Sequence, residues 1–340
     1  MTEPSFSASR LPSELTDFAP AFRYLAALLA LVALSGLAPA QESSQPQNRP
    51  DSPYTLRFDV DMVVLRATAQ DHKNTLVSGL GKNDFQVYEN GVLQPIKHFS
   101  HEDIPVTVGL VVDNSGSMKP KRRDVIAAAL AFARSSNPQD QMFVVNFNEK
   151  VSFGLPDSAP FTDQPAQLEV ALSRNVADGE TALYDAVAAA LEHLKKGNRD
   201  KKVLIIISDG GDNASRHKLP DITALLKQRD VIVYAIGIFD QDDEDKNPGV
   251  LKRLAKDTGG EAFLPESLQD VAPICERIAH DIRNQYTIAY VPTNRERDGT
   301  YREIQVKASA PGHGRLSVRT RTGYFAPLVL ASPAAKVNRP

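Results

Sequence analysis

Between residues 104 and 283 the chain alternates two kinds of pattern: short runs that are apolar throughout, and longer stretches whose apolar positions recur every three or four residues. The first kind reads as strand and the second as helix. Strands are expected at 106–112 (VTVGLVV), 141–147 (QMFVVNF), 202–208 (KVLIIIS) and 231–238 (VIVYAIGI), with short ones at 150–155 and 260–265. Helices are expected at 121–135, 181–195, 219–229, 249–257 and 268–283; in the last, Leu268, Val271, Ile274, Ile278 and Ile282 share one face. Strands such as VLIII carry no polar face, so both of their sides must be covered. That predicts an α/β fold, a doubly wound, mostly parallel sheet of Rossmann-like type with helices on both faces.

On either side the rhythm changes to two. Residues 54–103 hold a long strand region (LRFDVDMVVLRATAQD) and a hairpin, DFQVYENGVLQPIKHF, whose turn is Asn90-Gly91 and whose second strand runs from Val92 to Phe99. Residues 285–326 repeat the alternation in QYTIAYVP, YREIQVKA and RLSVRTRTGYF. Each flank is too small to bury a stable core alone. The expectation is that 54–103 and 285–326 pair into one β-sandwich, with the α/β domain of 104–284 inserted between them and 327–340 left as a tail.

The N-terminus has a pattern of its own. The run YLAALLALVALSGL (24–37) follows Arg23 and precedes APAQ, with Ala38 and Ala40 in a small-x-small arrangement. It is shorter than the roughly 20 residues a span requires. It reads as a signal peptide over 1–40, cleaved after Ala40, although Glu3, Glu14 and Asp17 outweigh Arg10 and Arg23 ahead of it. Residues 41–53 (QESSQPQNRPDSP) read as a linker. The mature chain is then exported, periplasmic or secreted to the cell surface, with no membrane span.

Composition adds little beyond exclusions. The chain has 340 residues, 42% hydrophobic and 24% charged, with a formal net charge of −3. No basic arm or stripe calls for nucleic acid. One cysteine, Cys275, excludes an internal disulfide and falls beside the apolar face of its helix.

Chemistry concentrates where the first strand of the α/β region ends. Asp113, Ser115 and Ser117 alternate in DNSGS; Asp209 ends a central strand in LIIISDGGDN; Thr181 opens a helix in ADGETALYDA. Each alone reads as a cap or turn residue. Together, at the carboxyl edge of one sheet, they give two carboxylates and three hydroxyls, a set for Mg²⁺ or Mn²⁺ ahead of Ca²⁺, and not for Zn²⁺. A carboxylate from a partner protein would complete the shell. The run DQDDED (240–245) lacks the glycine of an EF-hand and reads as a solvated loop, as KPKRR (119–123) reads as a solvated face.

This arrangement resembles the von Willebrand factor A domain and its metal-ion-dependent adhesion site. The family's D-x-S-x-S motif stands here as Asp113-Asn114-Ser115-Gly116-Ser117, its distant threonine as Thr181 and its distant aspartate as Asp209. The match covers about 105–283. The flanks, through GLGKNDFQVYENGVLQPIKHF and QYTIAYVPTNRERDGTYREIQVKA, are also similar to the VWFA-related proteins of Acidobacteria. The resemblance implies that these five side chains hold the cation, that the partner donates an acidic residue, and that the module is an adhesion or protein-binding device and no enzyme. Glu180 stands where a second glycine is expected, so it either joins the site or points away. A structural scaffold in envelope assembly is the alternative. A Mg²⁺-dependent hydrolase is remote: DNSGS is no G-x-S-x-G elbow, Asn114 breaks a D-[ST]-G motif, and no histidine has triad context.

Overall fold

The computed structural model describes residues 62–175, 177–239 and 246–328. The expected signal segment, the linker, the acidic run 240–245 and the tail beyond 328 lie outside the described residues. The N-terminal flank supplies β1 (Val63–Gln70), β2 (Phe85–Glu89), β3 (Val92–Gln94) and β4 (Ile96–Ser100). The hairpin turn forms at Asn90 and Gly91, both at positive φ (47° and 80°), as a two-residue connection between twisted strands requires. The strand expected from Val92 to Phe99 is in fact two. Pro95 cannot donate to a ladder, and the chain breaks there: β3 pairs with β2, while β4 pairs with a strand from the other end of the protein.

The α/β region follows in chain order: β5 (Val106–Asp113), α1 (Arg122–Ser135), β6 (Gln141–Phe147), β7 (Val151–Phe153), α2 (Pro165–Ser173), α3 (Leu183–His193), β8 (Lys201–Ser208), α4 (Leu219–Gln228), β9 (Ile232–Gly237), α5 (Pro248–Thr258), β10 (Ala262–Phe263) and α6 (Val271–Arg283). The strand order is β10-β9-β8-β5-β6-β7, parallel except for β7. All eight residues of β5 are buried, as its unbroken apolar run demands. Val108, Leu110 and Val112 pack beneath α1, α2 and α6, against Phe132, Leu168 and Ile278. Val111 and Phe143 face the other way, onto Leu183, Leu226 and Leu254 of α3, α4 and α5. Two further features depart from the sequence reading. A 3-10 turn, Gly116–Lys121, precedes α1, and α2 was not expected at all.

After α6 come β11 (Tyr286–Tyr290), β12 (Tyr301–Ala310), β13 (Gly314–Arg319) and β14 (Gly323–Phe325). Strands of both flanks interleave in one eight-stranded antiparallel sheet, ordered β3-β2-β12-β13-β1-β11-β4 with β14 beside β12. The pairing defines one sheet and not the two facing layers of the expected sandwich. Its outermost strands, β3 and β4, are separated only by Pro95, so the sheet curls until its edges nearly meet. Gln94 and Thr293 bridge the closing seam at 2.9 and 3.0 Å. Near-closure shields edges that would otherwise pair with other chains and encloses a core of Leu65, Phe85, Val87, Tyr286 and Ile288.

The two parts meet along a polar seam. Asp281 of α6 accepts from Tyr234 Oη and from Arg319 Nη2, both at 2.7 Å, and Gln285 donates to Tyr234 Oη at 3.2 Å. Lys201 Nζ bonds the Ile282 carbonyl, and burial lowers its pKa to about 7. Gly259, the αL cap of α5 at φ 85°, brings the parts into direct backbone contact: a β-carbon there would lie 2.5 Å from the Thr320 carbonyl carbon. Gly259→Ala is therefore expected to lower stability by roughly 1–3 kcal/mol, measured as a shift in urea midpoint. An unchanged midpoint would show that the seam is not held this closely.

Candidate metal site

The strand order places the site. From β5 the chain crosses to β6 on one side and later returns to β8 on the other, so the crevice at the carboxyl edge of β5 is the topological switch point. Asp113 is the last residue of β5, and Asp209 directly follows β8. Ser115 and Ser117 lie in the turn after β5, and Thr181 lies two residues ahead of α3.

Backbone hydrogen bonds lock these loops together. Asn114 N–H donates to the Phe147 carbonyl at 2.6 Å, Asp178 N–H to the Asn114 carbonyl at 2.9 Å, and Gly116 N–H to the Gly179 carbonyl at 3.1 Å. The threonine loop is thus held against the DNSGS turn. From its other side, Thr181 N–H donates to Asn213 Oδ1 at 2.8 Å, while the N–H groups of Asn213 and Ala214 donate to the Thr181 carbonyl at 3.0 Å. Asn114 is a strut: its side chain donates to Asn146 Oδ1 at 3.1 Å and accepts from Arg122, and Asn146 in turn donates to the Ala171 carbonyl at 2.8 Å. The unexpected α2 therefore has a role, since it anchors the loop that carries the two serines.

Side chains then join four of the five expected residues. Ser115 N–H donates to Asp113 Oδ1 at 2.8 Å, the Ser115 and Ser117 hydroxyls are 3.2 Å apart, and Ser117 Oγ donates to Asp209 Oδ2 at 2.6 Å. Thr181 is tied through its backbone to Asn213 and Ala214, in the loop that follows Asp209, and Glu180 beside it is exposed. Sequence reasoning missed Ser208, whose fully buried hydroxyl donates to Asp113 Oδ2 at 2.6 Å, and Asn213. Both stand in the quoted SDGGDN stretch, but nothing local to that stretch reveals that they reach Asp113 and Thr181.

The electrostatics suit a cation. Asp113 and Asp209 are each 3% exposed. Burial, and next the charge of Asp209, raise the pKa of Asp113 to about 6; hydrogen bonds from Ser115 and Ser208 oppose the shift without cancelling it. Two buried carboxylates at one edge are a cost that a divalent ion would remove. Among the described residues no group of three or more His, Cys, Asp or Glu side chains gathers. The candidate centre is the mixed set of two carboxylates with hydroxyls, which fits a hard, oxygen-seeking cation.

The family-model comparison agrees with this fold. Residues 107–276, half of the chain, match the family model of the von Willebrand factor type A domain. No curated protein matches. Among solved structures, a von Willebrand factor type A protein from Catenulispora acidiphila is 14% identical over 79% of this chain and 74% of that one, with a TM-score of 0.46. The vWF domain of the type V pili tip protein Mfa5 from Porphyromonas gingivalis is 14% identical over 53% of this chain and 95% of that one, with a TM-score of 0.45. Proximal thread matrix protein 1 from the mussel byssus, with a zinc-occupied MIDAS motif, is 18% identical over 57% and 50%, with a TM-score of 0.47.

Proposed function

The chain belongs to the von Willebrand factor type A domain family, and from that premise we propose that it is an exported, non-catalytic protein-binding module. It captures an acidic side chain of a partner through a Mg²⁺-type cation held by Asp113, Ser115, Ser117, Thr181 and Asp209. The observation that carries this reading is the Ser117–Asp209 contact at 2.6 Å, which joins two loops 92 residues apart at the switch point of the sheet. The hydroxyls supply donors without charge, so two carboxylates balance the ion and leave it able to attract a third from outside. Export rests on the segment 24–41; no helix among the described residues is long and apolar enough to cross a membrane.

Calorimetric titration of the full chain with Mg²⁺ and Mn²⁺ tests the reading. Saturable binding is expected in the wild type and none in Asp113→Ala, with Thr181→Ala weakened. No binding in the wild type would overturn the cation model and leave the loop cluster as a structural cap.

A further inference from the structure

A cleft separate in its lining from the metal site lies between the α/β part and the closed sheet. Its volume is about 930 Å³, and it is lined by α5, by the Gly259–Ala262 connection to β10 and by the outer face of β12 and β13. Its charge is one-sided. Lys252, Lys256, Lys307 and Arg315 line it, against Asp71 and the Arg319–Glu261 ion pair. Both acids are already engaged. Asp71 accepts the N–H groups of Lys73 and Thr75 in its own turn, and Glu261 pairs with Arg319 at 3.2 Å and Arg277 at 3.5 Å. Lys252, Lys256 and Arg315 are exposed and have no ion pair among the described residues.

The cations stand in two facing rows. Lys252 and Lys256 are one helical turn apart on α5, with β-carbons about 5–6 Å from each other. Across the cleft, Arg315 pairs with Ser309, which sets it diagonal to Lys307 on the same face of the sheet, roughly 7–8 Å away. In the wall beside them, Arg319 Nε and Nη1 and Thr320 Oγ1 are buried polar atoms with no hydrogen-bond partner, as is the acceptor Glu261 Oε2. A single small anion would satisfy one row; a chain of charges satisfies both.

We infer that this cleft is a second ligand site, independent of the metal, that binds a linear polyanion carrying several phosphate or carboxylate groups. The walls that form it come from both parts of the protein, and the Gly259 contact fixes their separation.

The test uses chelator-treated full chain, so that the metal site makes no contribution, and calorimetric titration at low ionic strength with inorganic tripolyphosphate and with tricarballylate. Saturable binding of at least one probe is expected, weakened by added salt. The tighter probe assigns phosphate or carboxylate as the natural group. Joint substitution Lys252→Glu and Lys256→Glu weakens binding by about tenfold or more, as does Arg315→Glu on the opposite wall, which serves if the helix variant fails to fold. Lys119→Glu, an exposed cation at the metal edge, leaves binding unchanged. Absence of saturable binding to either probe, or equal weakening by Lys119→Glu, overturns the proposal.

Discussion

In the absence of divalent cations, Asp113→Asn is expected to make the protein more stable at pH 7.5, by up to about 3 kcal/mol, while abolishing its response to Mg²⁺. The carboxyl is almost fully buried beside Asp209, and its pKa rises from 3.8 to about 6. The sign follows directly. Between those two values the folded state holds a proton that the unfolded state has released, so stability falls as pH rises through that window. Above about 6 the whole penalty is present; toward pH 4 it disappears, and with it the advantage of Asn. Urea unfolding of both proteins in EDTA, at pH 4 and pH 7.5, measures this. For the wild type, Mg²⁺ at a hundredfold excess over its dissociation constant adds about 2.7 kcal/mol at neutral pH. An Asn variant less stable than wild type at pH 7.5 would mean that the two carboxylates are not in conflict, and the case for a cation would weaken with it.

The second large effect lies in the closed sheet. Arg302 and Glu89 pair at 3.2 Å with side chains only 2% exposed. Tyr290 and Tyr324 donate to Glu89 Oε2 at 2.7 and 3.0 Å, and Arg302 also donates to the carbonyls of Asn294 and Glu296. Arg302→Met strands a buried carboxylate on two phenols and is expected to cost about 3–5 kcal/mol. Replacing both partners, Arg302→Met with Glu89→Leu, removes the stranded charge and is expected to cost less than the single change. A double variant as unstable as the sum of its parts would show that the pair acts through packing rather than charge.

Much of this was legible in the chain, and the boundary between legible and hidden is physical. The strands buried on both faces, β5, β8 and β9, have runs of apolar residues that admit no other reading, and they appear within a residue or so of the expected bounds. The helix α2 was missed because nine residues with Leu168, Ala171 and Leu172 on one side show barely two turns of periodicity. Alternation in the flanks told which residues face inward but not which strands meet. β1 pairs with β11 and β13, more than 200 residues on, and only the tertiary fold selects a single curled sheet over two layers.

The candidate site divides in the same way. Oxygen donors at alternate positions after a buried strand are visible locally, and the resemblance to a known motif gathered the distant Thr181 and Asp209. The residues that hold those donors in place were not visible. Asn114 acts through Asn146 and α2, Ser208 through Asp113, and Asn213 through Thr181. Each is a polar group satisfied by a partner remote in sequence, so its identity carries no local pattern.

The chain enters the α/β part at the start of β5 and leaves it at the end of α6, both at the edge of the sheet opposite Asp113. A partner gripped at one end and an anchorage through the curled sheet at the other would stretch the central strand along its own length, over about 25 Å. β5 is bonded on one side to β6 from Thr107 to Asp113 and on the other to β8 from Val106 to Val112. Tension in that direction runs parallel to both ladders, so it cannot peel them open bond by bond. Under such a load the two ladders of β5 would be stressed in shear, as the fibres of a rope are.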